Sequence, residues 1–129
     1  MEKAAYFMYS QQFNLVDRAA VFTKQTILFC NTLPPTISNI EYQKQVIRST
    51  ASVGANYIEA NEAFSKKDFL FRLRIARKEA KESEYWLQLL QETNNASYTT
   101  RAQALQQEAK ELRLILSSII NKASPADKR

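Results

Sequence analysis

Glycine occurs once in 129 residues, at Gly54, and proline three times. Sandwiches, barrels and doubly wound sheets change direction through glycine- and proline-rich turns. A chain so poor in both favours an all-helical fold before any periodicity is read. The same shortage removes phosphate loops and dinucleotide fingerprints, which place several glycines in a short span. There is no histidine. That removes most zinc sites, the usual general base, and the Ser-His and Cys-His nucleophile pairs. The one cysteine, Cys30, lies in an apolar helical pattern and reads as a small buried residue; a single cysteine does not fix the compartment but fits a reducing one. No uncharged apolar run approaches the roughly 20 residues of a membrane span. Residues 1–13 lack a signal-peptide core, so the expectation is a cytoplasmic protein with no membrane partner.

The apolar periodicity divides residues 1–129 into one domain with four helices, at about 14–33, 39–64, 66–92 and 100–122. In the first, Leu15, Ala19, Phe22, Thr26, Phe29 and Leu33 recur at alternating steps of four and three after Asn14, a good N-cap. Pro34-Pro35 stops it. The second is expected to start at Ser38, with Glu41 completing a capping box. It carries one seam of Val46, Thr50, Val53, Tyr57, Ala60 and Phe64, and another of Ile47, Ala51, Gly54 and Ile58. Ser65 and Asp68 should cap the third, whose seam is Phe69, Leu73, Ala76, Ala80, Ser83, Leu87 and Leu90. Thr100 and Gln103 make a fourth capping signal, and Ala102, Leu105, Ala109, Leu112, Leu116 and Ile119 follow. Helices joined by connections this short pack antiparallel, so the sequence predicts an all-α, up-down-up-down four-helix bundle. Tyr6, Phe7, Tyr9 and Phe13 make residues 1–13 too apolar for a plain tail. They would extend the first helix or cover a neighbouring subunit.

Gly54 stands inside the second helical pattern, where glycine costs roughly 1 kcal/mol relative to alanine. A close approach by another helix would compensate. The small residues of the third seam (Ala76, Ala80, Ser83) nominate that helix as the partner. Ser49, Ser52, Asn56 and Glu59 form a polar stripe on the second helix at steps of three, four and three. It is expected on the remaining inward side, as a hydrogen-bonded network that fixes register and in which Asn56 and Glu59 satisfy Arg48 or backbone groups. The competing reading is an enzymatic site of Ser52, Asn56, Glu59, Glu79 and Glu82. Di-iron bundles complete such a site with histidines, which this chain does not have. No catalytic residue, metal ligand or cofactor is therefore assigned, and the protein is expected to be non-enzymatic.

The net charge of +5 is concentrated. Between Lys66 and Lys81 stand seven basic residues and two acidic ones. Lys67, Arg74, Arg77, Lys78 and Lys81 cluster away from the seam of the third helix. This is either a solvated face or a surface for the phosphates of RNA or DNA, read without regard to sequence. A further group on the same helix, Phe71, Ile75 and Trp86, belongs either to the edge of the core or to an oligomer interface.

The run Arg48-Ser49-x-x-Ser52-x-x-Ala55-Asn56-x-x-Glu59-Ala60 resembles the signature of the bacterial four-helix-bundle proteins encoded in intervening sequences of large-subunit ribosomal RNA genes. A second block, Lys67 and Phe69 running into Ile75-Ala76 and then Ala80-x-Glu82, fits the same family. The resemblance covers about residues 15–120. This chain has Gly54 where the family frequently has proline, and Asn61 where it often has glycine. Glu62-Ala63-Phe64 replaces a turn of glycine and arginine. The resemblance implies Arg48, Ser52, Asn56 and Glu59 as the family motif, and a homo-oligomer, with the pentameric barrel as the best-known form. The chain is also similar to the accessory proteins of diversity-generating retroelements. That implies a basic surface, nucleic-acid binding and association with a protein partner such as a reverse transcriptase.

Overall fold

The computed structural model describes residues 14–124, and the expectations for residues 1–13 and for the tail after Ser124 lie outside that range. Four helices run through it: α1 (Leu15–Cys30), α2 (Ile37–Asn61), α3 (Lys66–Glu92) and α4 (Thr99–Ala123), with one 3-10 turn, Ala96–Tyr98, before α4. No strand occurs among the described residues. The architecture is an all-α four-helix bundle.

The register of each pair shows the antiparallel order. Along α2 and α3, Ser49 meets Ser83, and Asn56 meets Arg72. Along α1 and α2, Cys30 meets Gln43, and Ala19 meets Gly54. Along α1 and α4, Arg18 meets Glu108, and Phe29 lies under Arg101. In each pair the residue numbers rise on one helix as they fall on the other. An arginine–glutamate clamp joins three of the four seams. Arg18 grips Glu108 through two 2.8 Å bonds and reaches Glu111 at 2.8 Å. Arg48 spans Glu79 and Glu82. Arg113 holds Glu84 at 2.6 and 3.3 Å.

The seams behave as their spacing demands. Leu15, Ala19, Phe22, Thr26, Phe29 and Leu33 are all buried. So are Leu73, Ala76, Ala80, Ser83, Leu87 and Leu90, with Phe69 partly buried beside them. On α4, Ala102, Ala109, Leu112 and Leu116 are buried, while Leu105 and Ile119 pack against the core from its edge.

Several expectations are corrected. Helix α1 ends at Cys30 rather than at residue 33, and Leu33 enters the core from the turn. Asn14 occupies the N-cap position without a side-chain capping bond. Helix α2 is capped by Thr36, whose hydroxyl accepts from the Asn39 amide at 3.1 Å, and not by Ser38 with Glu41. The earlier start brings the Asn39 side chain against Asn94 at the far end of α3. The two amides exchange a pair of 2.8 Å bonds, and Asn39 also donates to the Pro34 carbonyl. Helix α2 stops at Asn61, and Phe64 is left fully exposed on the turn. Ser65 caps α3 as expected, accepting from the Asp68 amide. Helix α4 begins at Thr99, so Thr100 is inside it rather than at its cap. Asn95 caps the short turn before it instead.

Gly54 is the most instructive correction. A Cβ added there would stand 3.3 Å from the Ala19 Cβ, so the close neighbour is α1, not α3. The small residues of α2 and α3 meet one turn away, where the buried Ser49 and Ser83 hydroxyls lie 2.7 Å apart. The seam through Ile47, Ala51, Gly54 and Ile58 is a flank: Ile47 and Gly54 are half-buried, and Ala51 and Ile58 are exposed. The polar stripe does not fill an inward side. Only Ser49 is buried, while Ser52 and Asn56 are half-buried and Glu59 is exposed.

Candidate nucleic-acid interface

Ser65 starts α3 in a register that puts Arg74, Arg77, Lys78 and Lys81 on one side, at steps of three, one and three. At 100° per residue these four positions span little more than a quarter of the helix circumference, opposite the buried seam. The turn of α4 that passes them supplies Arg113 and Ser117. Together the six residues line an open groove of about 410 Å³ between the two helices. The structure thus brings together four of the five basic residues singled out in the sequence. The fifth, Lys67, is exposed near the start of α3, two turns from Arg74 and outside the groove.

Arg113 and Ser117 were missed because they lie on another helix. Arg113 sits four residues from Ala109 and Leu116 sits three beyond Arg113, so linear spacing marks it only as one more charge on a solvated flank. Its hydrogen bond to Glu84, supported by that carboxylate's charge and opposed by burial, holds the guanidinium above its ordinary range. Glu84 therefore fixes Arg113 at the groove wall while neutralising part of its charge.

The motif residues stand on the opposite flank of α3, and their partners differ from expectation. Arg48 turns to α3, with Nη1 3.3 Å from Glu79 and Nη2 3.6 Å from Glu82. Asn56 donates to the Ser52 carbonyl and hydroxyl at 2.9 Å each, and its carbonyl oxygen accepts from Arg72 at 3.4 Å. Glu59 stays outside the network, exposed. Burial pushes the Glu79 carboxyl up. Its contact with Glu82, the Arg48 guanidinium and the Ser52 hydroxyl outweigh that and hold it below the usual range. Glu82 moves the other way, raised first by its contact with Glu79 and then by burial. These contacts link α2 to α3.

Of the remaining site residues, Ile75 is half-buried, and Trp86 packs between Tyr42 of α2 and Tyr85, with ring centroids 6.0 and 5.2 Å away. Phe71 stands apart from them, 56% exposed. Cys30 is buried, and desolvation pushes its thiol up to about 11, which leaves it unreactive near neutrality. No group of three or more potential metal-ligating side chains occurs among the described residues.

Residues 11–118 match the family model described as 23S rRNA-intervening sequence protein. The chain belongs to this family. Its fold is also that of a crystal structure of a protein of unknown function from the S23 ribosomal protein family of Bacteroides thetaiotaomicron. That protein is 34% identical, with a TM-score of 0.72 over 81% of this chain and 96% of the other. No curated protein matches the chain. Among the described residues of this intervening-sequence family member, no helix is long and apolar enough to cross a membrane.

Proposed function

We propose that this protein is a non-enzymatic nucleic-acid-binding bundle whose α3–α4 groove takes up backbone phosphates of RNA or DNA. The groove itself carries the reading. Five cationic side chains and one hydroxyl converge on an open channel, and every lining group can donate to a phosphate oxygen. Backbone phosphates carry no base information, so binding through this groove is sequence-tolerant. A cytoplasmic homo-oligomer, a pentamer by family resemblance, would repeat the groove around a ring and multiply its field.

The test is charge reversal at Arg74, Lys78 and Lys81 together, with affinity for RNA and for DNA measured at about 50 and about 200 mM salt. The expected result is loss of most of the affinity and of most of the salt dependence. Unchanged affinity, or affinity indifferent to salt in the unaltered protein, refutes the proposal.

A second reading is a scaffold for a protein partner such as a reverse transcriptase. The fully exposed Phe64 and the half-exposed Ile58 at the end of α2 favour it. In that case the charge-reversed protein would keep its partner, while polar substitution of Phe64 and Ile58 would release it.

A further inference from the structure

The outward face of α3 carries more than charge. Lys67, Phe71, Arg74, Lys78, Lys81 and Tyr85 follow one another at steps of four, three, four, three and four, which places them in a single stripe facing away from the buried seam. Phe71 and Tyr85 are large rings, 56% and 55% exposed, and they bracket the three central cations. Neither ring belongs to the core, which Leu73, Ala76, Ala80 and Leu87 fill from the other side; Tyr85 leans on Trp86 at 5.2 Å between ring centroids and still leaves more than half of its surface open, while Phe71 has no ring beside it among the described residues.

We infer that this stripe binds single-stranded nucleic acid, with Phe71 and Tyr85 stacking on unpaired bases at the two ends while the cations between them hold the intervening phosphates. The inference rests on the reading of the basic face given above and narrows its ligand. Two physical arguments select a single strand. A duplex keeps its bases stacked on one another and offers an exposed ring nothing to cover, whereas every unpaired base presents a free face. The fourteen steps from Phe71 to Tyr85 rise about 21 Å, a span suited to about four nucleotides, the low end of known single-strand sites. Sequence-tolerant single-strand binders likewise combine a cationic track for the backbone with aromatic rings on which bases stack. Phe71 is then part of the nucleic-acid surface rather than of a subunit contact shared with Ile75 and Trp86.

The experiment uses the full chain carrying Phe71→Ala, Tyr85→Ala or both, with Phe71→Trp as the conservative variant. Affinity is read by fluorescence anisotropy for a labelled oligouridylate and for an RNA duplex of equal length, and oligomeric state is read by light scattering. Each alanine variant is expected to weaken single-strand binding about tenfold. Duplex binding, the salt slope and the assembly should stay as in the unaltered protein, and Phe71→Trp should restore single-strand affinity. Single-strand binding that survives the double alanine variant overturns the inference and leaves the phosphate-binding groove intact. A change in assembly, or an equal loss on the duplex, also overturns it, because the rings then act through subunit contacts. Failure of the unaltered protein to bind either probe overturns the underlying reading itself.

Discussion

Replacing Arg48 by methionine keeps most of the apolar stem and removes the charge that faces a nearly buried carboxylate. Glu79 is 6% exposed, and its Oε2 lies 3.3 Å from the Arg48 guanidinium. At that distance an effective dielectric of about 20 gives about 5 kcal/mol of attraction. The Arg48 side chain is 56% exposed, so water screens much of this and can follow into the vacated space. The expected loss of unfolding free energy at neutral pH is therefore about 2 kcal/mol.

The pH dependence identifies the cause. In the unaltered protein the folded Glu79 value lies below the unfolded one, so its contribution is present above the unfolded value and is lost as pH falls through the folded value. Without Arg48, burial is opposed only by the Glu82 contact and the Ser52 hydroxyl, and the folded value rises. The penalty is then complete at high pH and disappears once the carboxyl is protonated. Glu82, already raised and also facing Arg48, shifts in the same direction. Urea unfolding should show the largest deficit near pH 8 and a clearly smaller one near pH 5. Adding Glu79→Gln to Arg48→Met should recover more than half of the loss at pH 8. An equal deficit at both pH values, or no recovery from the second substitution, refutes the account of Arg48 as the counter-charge of a buried carboxylate.

Two further substitutions probe the packing. Gly54→Ala gains about 1 kcal/mol of helix propensity and gives part of it back at the tight Ala19 contact, so thermal melting should find it within about 1 kcal/mol of the unaltered protein. Gly54→Leu has no such room and should cost more than about 2 kcal/mol; a tolerated leucine would mean that α1 does not need the close approach. At the start of α2, Thr36→Ala should cost about 1 kcal/mol and Ser38→Ala almost nothing, as measured by urea unfolding, and the reverse order would restore the capping box at Ser38.

Much of the fold was legible because it rests on properties that act along the chain. The seam from Phe69 to Leu90 follows from the 3.6-residue turn, and the Ser65 cap follows from an oxygen three residues before a free amide. The scarcity of glycine and proline favoured helices over sheets on composition alone. The basic residues of α3 could be grouped for the same reason: they share one helix, and their spacing is their geometry.

What the sequence left open is relational. Gly54 announced a close neighbour but not which helix, since Ala19 and the α3 alanines are equally small, and only the packing of α1 into α2 decided it. Arg48 was expected to meet Asn56 and Glu59 of its own helix, and only the packing of α3 against α2 put Glu79 and Glu82 beside it. Thr36 and Ser38 are equally able caps, and Thr36 is the cap of the helix whose Asn39 meets Asn94. Arg113 joins the α3 cations across more than thirty residues of chain, a proximity that exists only once α4 has folded back along α3. Periodicity and capping act over a few residues and are written into neighbouring side chains. The choice of partner depends on distances that do not exist until the helices have packed.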